Sequence, residues 1–266
     1  MTLSLTTPLW LIGAGNMGGA MLRGWIAAGA DPRQITLVDP FVEGLPEGVT
    51  LHRELPVDAA PDILVLAVKP QQIGAVRDIF TGTPRLLLSI LAGVETATLS
   101  AAFRAASTVR VMPNLPVSIG EGVSALFSDY ADAATRAEAE ALIAPLGLTE
   151  WIAEEKLFDA VTALSGCGPG FLFRFIDALA EAGTALGLPA DQAARLATAT
   201  VKGSGLLAAA SDESASTLAD RVASPGGSTR EGLNVLDDGE ALKTLLKRTL
   251  AASAKRNAEL AAAARS

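Results

Sequence analysis

Leu9-Trp10-Leu11-Ile12 runs directly into Gly13-Ala14-Gly15-Asn16-Met17-Gly18, and this junction decides the fold. The four apolar residues read as a buried strand. Met17 to Ala28 then places its apolar residues at helical spacing and stops at Gly29. Between strand and helix stands the pattern G-x-G-x-x-G. Its first glycine permits a tight turn, its second lets the backbone approach a pyrophosphate, and its third lets helix and strand pack closely. A pyrophosphate held there faces the unpaired N–H groups of the helix start. The expected cradle therefore consists of Gly13, Ala14, Gly15, Asn16, Met17 and Gly18.

Outward from this loop the chain alternates. Pro8 to Gly13, Ile35 to Asp39, Ile63 to Val68, Arg85 to Leu91, Thr108 to Met112 and Gly122 to Ser128 read as strands. Ile63 to Val68 is apolar throughout, the pattern of a strand buried on both faces of a parallel sheet. Helices are expected at Gln71 to Phe80 and Thr98 to Ala106. The alternation specifies an α/β, doubly wound, Rossmann-type domain. After about Trp151 the strand signal stops. Lys156 to Leu164, Pro169 to Leu186, Asp191 to Ala210, Ser214 to Ala223, Ser228 to Leu236 and Gly239 to Ala264 all read as helices, the last one exposed. The expected division is a dinucleotide-binding domain over residues 1–152 and an all-α substrate and assembly domain over 153–266.

Composition narrows the function. The formal charge is −8 over 266 residues, with no basic face of the kind nucleic acid needs. The longest apolar run, Ile63 to Val68, is far too short to span a membrane. Met1 to Trp10 lacks the basic start of a signal peptide, and Cys167 has no second cysteine to pair with. A cytoplasmic globular protein is expected. The Ala-rich helical half suits close packing between copies, so an obligate dimer or larger assembly is expected too.

Asp39 ends the second strand, 21 residues beyond Gly18. An acid there accepts hydrogen bonds from adenosine ribose hydroxyls and repels a 2′-phosphate, which leans toward NADH. Turn chemistry with Pro40 is the plain structural alternative, and Arg33 and Arg53 are available to rescue NADPH. Both NADPH and NADH stay open. The strand Ile63 to Val68 leads into Lys69-Pro70, whose carboxyl end faces the same crevice; Lys69 either lines the cofactor or is solvated.

Acid–base machinery is scarce. His52 is the sole histidine and reads as structural. Cys167 has neither a histidine partner nor a second thiol, so packing explains it better than nucleophilic catalysis. No cluster of His and Cys offers a metal site. Ser224-Pro225-Gly226-Gly227-Ser228-Thr229 precedes a helix, where N–H groups form a seat for a small carboxylate. A plain capping loop explains that segment equally well.

Five segments in order resemble the pyrroline-5-carboxylate reductase family. They are Gly15-Asn16-Met17-Gly18, Ala67-Val68-Lys69-Pro70, Arg110 to Asn114, Ala163 to Pro169, and Val222 to Thr229. The resemblance implies hydride delivery to the C=N bond of a cyclic imine. It also implies a helical domain that interlocks in a homodimer, often in rings of dimers. By position, Ser224, Gly226, Gly227, Ser228 and Thr229 seat the substrate carboxylate, with the Thr229 hydroxyl near the ring nitrogen. Ala67, Val68, Lys69, Pro70 and Glu155 are implied as cofactor contacts. The chain departs from the family pattern at Leu115, where Thr is usual, and at Gly170 and Phe171, where Ala and Tyr are common. A protonated imine is already electrophilic, so near-attack geometry explains how such a site works without histidine.

Two other readings compete. A β-hydroxyacid dehydrogenase would need Lys and Asn where Arg174 and Ala178 stand, and a guanidinium cannot act as the base. A non-catalytic cofactor-sensing or scaffold protein would keep the glycine loop but not need the Gly226–Thr229 seat.

Overall fold

The structure is a computed structural model that describes residues 3–265, with side chains through residue 262. Its first part alternates strand and helix: β1 (Leu9–Ile12), α1 (Asn16–Ala27), β2 (Ile35–Val38), β3 (Thr50–His52), β4 (Ile63–Leu66), α2 (Ile73–Ile79), β5 (Leu86–Ser89), α3 (Thr96–Phe103), β6 (Ser107–Pro113), β7 (Gly122–Phe127), α4 (Ala133–Ile143) and β8 (Gly147–Trp151). One sheet runs in the order β3-β2-β1-β4-β5-β6-β7-β8. Strands β1 to β6 are parallel, β7 turns back antiparallel on β6, and β8 runs parallel to β7. The chain leaves β1 on one side toward β2 and returns to its other side at β4. That reversal opens a crevice at the carboxyl ends of β1 and β4.

The strand residues alternate between two apolar layers, as a period of two requires. Leu9, Leu11, Ile35, Leu37, Ile63 and Val65 face one layer, closed by Met21, Leu22 and Trp25 of α1 and Leu142 and Ile143 of α4. Ile12, Val38, Leu64, Leu66 and Leu87 face the other, closed by Leu99 and Phe103 of α3. Trp25 also donates from Nε1 to the Leu142 carbonyl at 2.6 Å, which satisfies its buried N–H.

Three elements lie outside the sequence expectation: β3, α4 and β8. Strand β3 is three residues on the sheet edge and only partly buried, too short to show alternation. Strand β8 is partly exposed along its length, so its apolar signal is weak. Helix α4 is Ala- and Glu-rich, and its start is marked by Asp132, which accepts from the Thr135 N–H at 2.8 Å.

The remainder is helical: α5 (Phe158–Val161), which runs on through a π-turn at Thr162–Gly166, then α6 (Gly168–Ala185), α7 (Ala190–Ala209), α8 (Ala215–Arg221), α9 (Ser228–Asp237) and α10 (Ala241–Arg265). Contacts divide the chain into two compact units. The first runs up to Cys167 and takes in the chain from Ser253 on; the second is Gly168–Ala252. The residues from Ser253 on are therefore not simply an exposed tail. Ala261 is buried against the turn at Gly93, where a Cβ would come within 3.2 Å of the Ala261 Cβ.

The second unit has little core of its own. Among the described residues, its buried apolar side chains are Ala193, Ala197 and Ala223. Leu172, Phe173, Phe175 and Leu179 of α6, Val235 and Leu236 of α9, and Leu245 and Leu246 of α10 are all exposed. An apolar surface of that extent marks an interface rather than a solvated face. No helix among the described residues is long and apolar enough to cross a membrane.

Candidate active site

The glycine loop is built by close contact. Gly13 has φ +98°, a left-handed conformation that side chains disfavour, and a Cβ there would lie 2.7 Å from the Ala67 carbonyl oxygen. A Cβ on Gly18 would strike the Gly13 carbonyl oxygen and come within 2.9 Å of the Ala67 Cβ. Both glycines thus let β1, β4 and α1 meet. Gly15 differs: a Cβ there would meet nothing within 4 Å. It is the N-cap of α1 and no side chain caps that helix, so the first N–H groups face open space.

Asp39 organises the loop from the end of β2. Its Oδ2 accepts from the Ala14 N–H at 2.7 Å, and its Oδ1 accepts from Phe41 N–H and Val42 N–H, both at 2.8 Å. Burial pushes its carboxyl pKa up, but those three N–H groups and the nearby Arg53 charge outweigh burial and hold it below the usual aspartate value. A cleft of about 460 Å³ lies beside this loop. Gly13, Gly15, Asp39, Ala67, Val68 and Lys69 all line it. Asn16 and Met17 open α1, and Pro70 begins the short 3-10 turn after Lys69. Phe41, Leu55, Val76 and Ile79 complete an apolar wall that the sequence did not point to. Phe41 is 86% exposed although it lines this cleft, and an aromatic directly after Asp39-Pro40 was the one available signal.

Glu155 lies elsewhere. Its Oε1 accepts from Arg110 Nη1 at 3.0 Å and from the Thr96 N–H at 2.9 Å, so it caps the start of α3. The Thr96 hydroxyl stands 3.0 Å from Glu155 Oε2 and 2.7 Å from Asp129 Oδ2, and donates to one of them at a time. The Arg110 guanidinium sits 4.3 Å over the Phe158 ring. Glu155 therefore joins β6, α3 and α5, and it is not among the residues that line the glycine-loop cleft. Asn114 makes a second tie of this kind. Its Nδ2 donates to the Ser165 carbonyl at 3.0 Å, and its Oδ1 accepts from the Val123 N–H at 2.8 Å. Two of the quoted motifs, distant in sequence, are thus one hydrogen bond apart.

The second unit carries the other expected cluster. Gly226 has φ +69°, and the Gly227 N–H donates to the Ser224 carbonyl at 2.9 Å. A Cβ on Gly227 would come within 2.6 Å of the Ser224 Oγ and 3.1 Å of the Ser224 carbonyl oxygen, so a side chain there would push Ser224 aside. Gly227 is the N-cap of α9, and no side chain caps that helix. Ser228 and Thr229 open it, both exposed. Nearby, Arg230 pairs with Asp220 at 2.7 Å. Arg174, at the position where a β-hydroxyacid dehydrogenase would need lysine, is exposed and pairs with Asp177 at 2.9 Å.

Residues 155–260 match the family model for pyrroline-5-carboxylate reductase dimerisation, and residues 9–93 match that described as NADP oxidoreductase coenzyme F420-dependent. The pyrroline-5-carboxylate reductase of Pseudomonas aeruginosa is 33% identical over 272 residues, covering 97% of this chain and 98% of that protein. The chain belongs to the pyrroline-5-carboxylate reductase family. A solved pyrroline-5-carboxylate reductase from Coxiella burnetii superposes with a TM-score of 0.86 at 32% identity, over 96% of this chain and 99% of that one. The Plasmodium falciparum pyrroline carboxylate reductase, solved with NADP bound, gives 0.79 at 26% identity, over 96% and 98%. As a member of this reductase family the chain is an NAD(P)H-dependent oxidoreductase. The dinucleotide fits the residues present: the space over Gly15 is open where a pyrophosphate needs backbone approach, and the glycines beside it are closed by packing.

Proposed function

We propose that the chain reduces the C=N bond of 1-pyrroline-5-carboxylate to give L-proline. The observation that carries this reading is family identity along nearly the whole chain, joined to the open helix start at Gly15. Gly13 to Gly18, Asp39 and Ala67 to Pro70 hold the dinucleotide, within a nucleotide domain of residues 1–152. Residues 153–266 form the substrate and dimerisation domain, of which Gly168–Ala252 is the separate compact unit while 153–167 and the chain from Ser253 on pack within the first. When bound, the reduced nicotinamide supplies a hydride to the imine carbon.

The chain's own residues bind and orient. The unpaired N–H groups at the start of α9, with Ser224, Gly226, Gly227 and Ser228, seat the substrate carboxylate. The Thr229 hydroxyl oxygen accepts from the protonated ring nitrogen, so the iminium is held and needs no separate acid. Once its carbon gains hydride, that nitrogen is already the secondary amine of proline. Glu155 enters only by fixing Arg110 and α3. A homodimer, alone or in a ring of dimers, covers the exposed faces of α6, α9 and α10, and the lone Cys167 suits a cytoplasmic location.

Thr229→Val tests the seat, because it keeps the shape and removes the hydroxyl. One lost hydrogen bond to a charged group costs roughly 1.5–3 kcal/mol, so kcat/KM for pyrroline-5-carboxylate falls about ten- to a hundredfold. Cofactor affinity holds. Unchanged kinetics would move the substrate site away from Thr229.

A further inference from the structure

The residue that ends β2 is usually taken as the arbiter of cofactor choice, an acid there excluding the 2′-phosphate. In this fold Asp39 is largely committed elsewhere. An ionised carboxylate offers about four acceptor positions, and three are taken by the N–H groups of Ala14, Phe41 and Val42. Its charge is spent on shaping the loop. Arg53 comes to the same turn from beyond β3. Its Nη1 donates to the Val42 carbonyl at 2.7 Å and lies 3.5 Å from the Asp39 carbonyl oxygen. That anchors one nitrogen of the guanidinium and leaves the rest of the fork exposed along the cleft. A guanidinium offers five N–H donors in a fixed plane, which suits a phosphate.

We propose that Arg53 is the residue that admits a 2′-phosphate, so that this chain binds NADPH as well as NADH despite Asp39. The inference rests on the cofactor reading above. Other charges lining the cleft are Glu54, which opposes a phosphate, and Lys69, which favours one. With Asp39 and Arg53 they sum to zero, so the outcome depends on which group reaches the phosphate. Arg33 is not a competitor, because its guanidinium is turned onto Asp31 at 2.8 Å.

The test is equilibrium binding of NADPH and NADH, and of adenosine 2′,5′-bisphosphate and ADP as fragments, to the intact protein by calorimetry. Wild type binds NADPH and NADH with dissociation constants within about tenfold of each other. Arg53→Gln raises the NADPH-to-NADH ratio of dissociation constants at least tenfold, and the ratio for the two fragments moves the same way. Raising salt weakens NADPH binding more steeply in wild type than in Arg53→Gln, as loss of a phosphate contact requires. Arg53→Lys, which keeps charge but not the fork, falls between. An unchanged ratio, including an equal loss for both cofactors, overturns the proposal and leaves Arg53 as a brace for the turn at Val42. If wild type binds neither cofactor, the cofactor reading itself fails.

Discussion

The Ala14 N–H and the Asp39 carboxylate are joined by a 2.7 Å hydrogen bond that spans 25 positions of sequence and ties the glycine loop to the end of β2. Asp39→Asn puts an amide where one oxygen now accepts and removes the charge that all three N–H groups address. The loss is about 1–3 kcal/mol of stability at neutral pH, with weaker binding of both dinucleotides. The folded pKa of Asp39 lies below its unfolded value, so its contribution is present above about pH 3.9 and disappears as pH falls through the folded value. Urea unfolding of wild type and Asp39→Asn should therefore differ at pH 7 and converge in acid. A difference that persists in acid would contradict the carboxylate's role.

The glycines of the loop are not equivalent. Gly15→Ala adds a methyl to open space, so the fold keeps its stability while cofactor affinity drops. Gly18→Ala drives a methyl into the Gly13 carbonyl and the Ala67 side chain, so it destabilises the domain with or without cofactor. Thermal unfolding without ligand separates the two. Equal melting losses would mean that the space over Gly15 is not free.

Glu155 and Arg110 are a largely buried pair, with side-chain exposures of 20% and 6%. Removing one partner from such a pair costs about 3–5 kcal/mol. Glu155→Ala strands the Arg110 charge and leaves the Thr96 N–H without its acceptor, whereas Glu155→Gln keeps an acceptor and loses less. Chemical denaturation at fixed protein concentration measures both. Intact stability with lost dinucleotide affinity would instead make Glu155 a cofactor contact.

Glu155 also shows where sequence stops being informative. The doubly wound fold was legible because buried strands and a glycine turn leave periodic, local marks: Ile63 to Val68 could hardly be anything but a central strand. The edge strand β3 and the half-exposed β8 leave no such mark, and without β3 nothing in the sequence chose between Arg33 and Arg53 as the arginine beside Asp39. Glu155 meets Thr96 and Arg110 across 59 and 45 positions, a pairing that no local pattern encodes. The loop proposed to seat the substrate was visible for the opposite reason. Gly226 stands at a positive φ that favours glycine and Gly227 lies close against Ser224, and both constraints fall within four adjacent residues.

The reaction itself is measured directly as turnover by the purified protein of 1-pyrroline-5-carboxylate with NADH or NADPH. Loss of reduced-cofactor absorbance is followed alongside chromatographic assay of proline. One proline forms for each cofactor oxidised, and a β-keto acid in place of the imine oxidises none. Cofactor binding without turnover of the imine, or oxidation that yields no proline, would contradict this reaction.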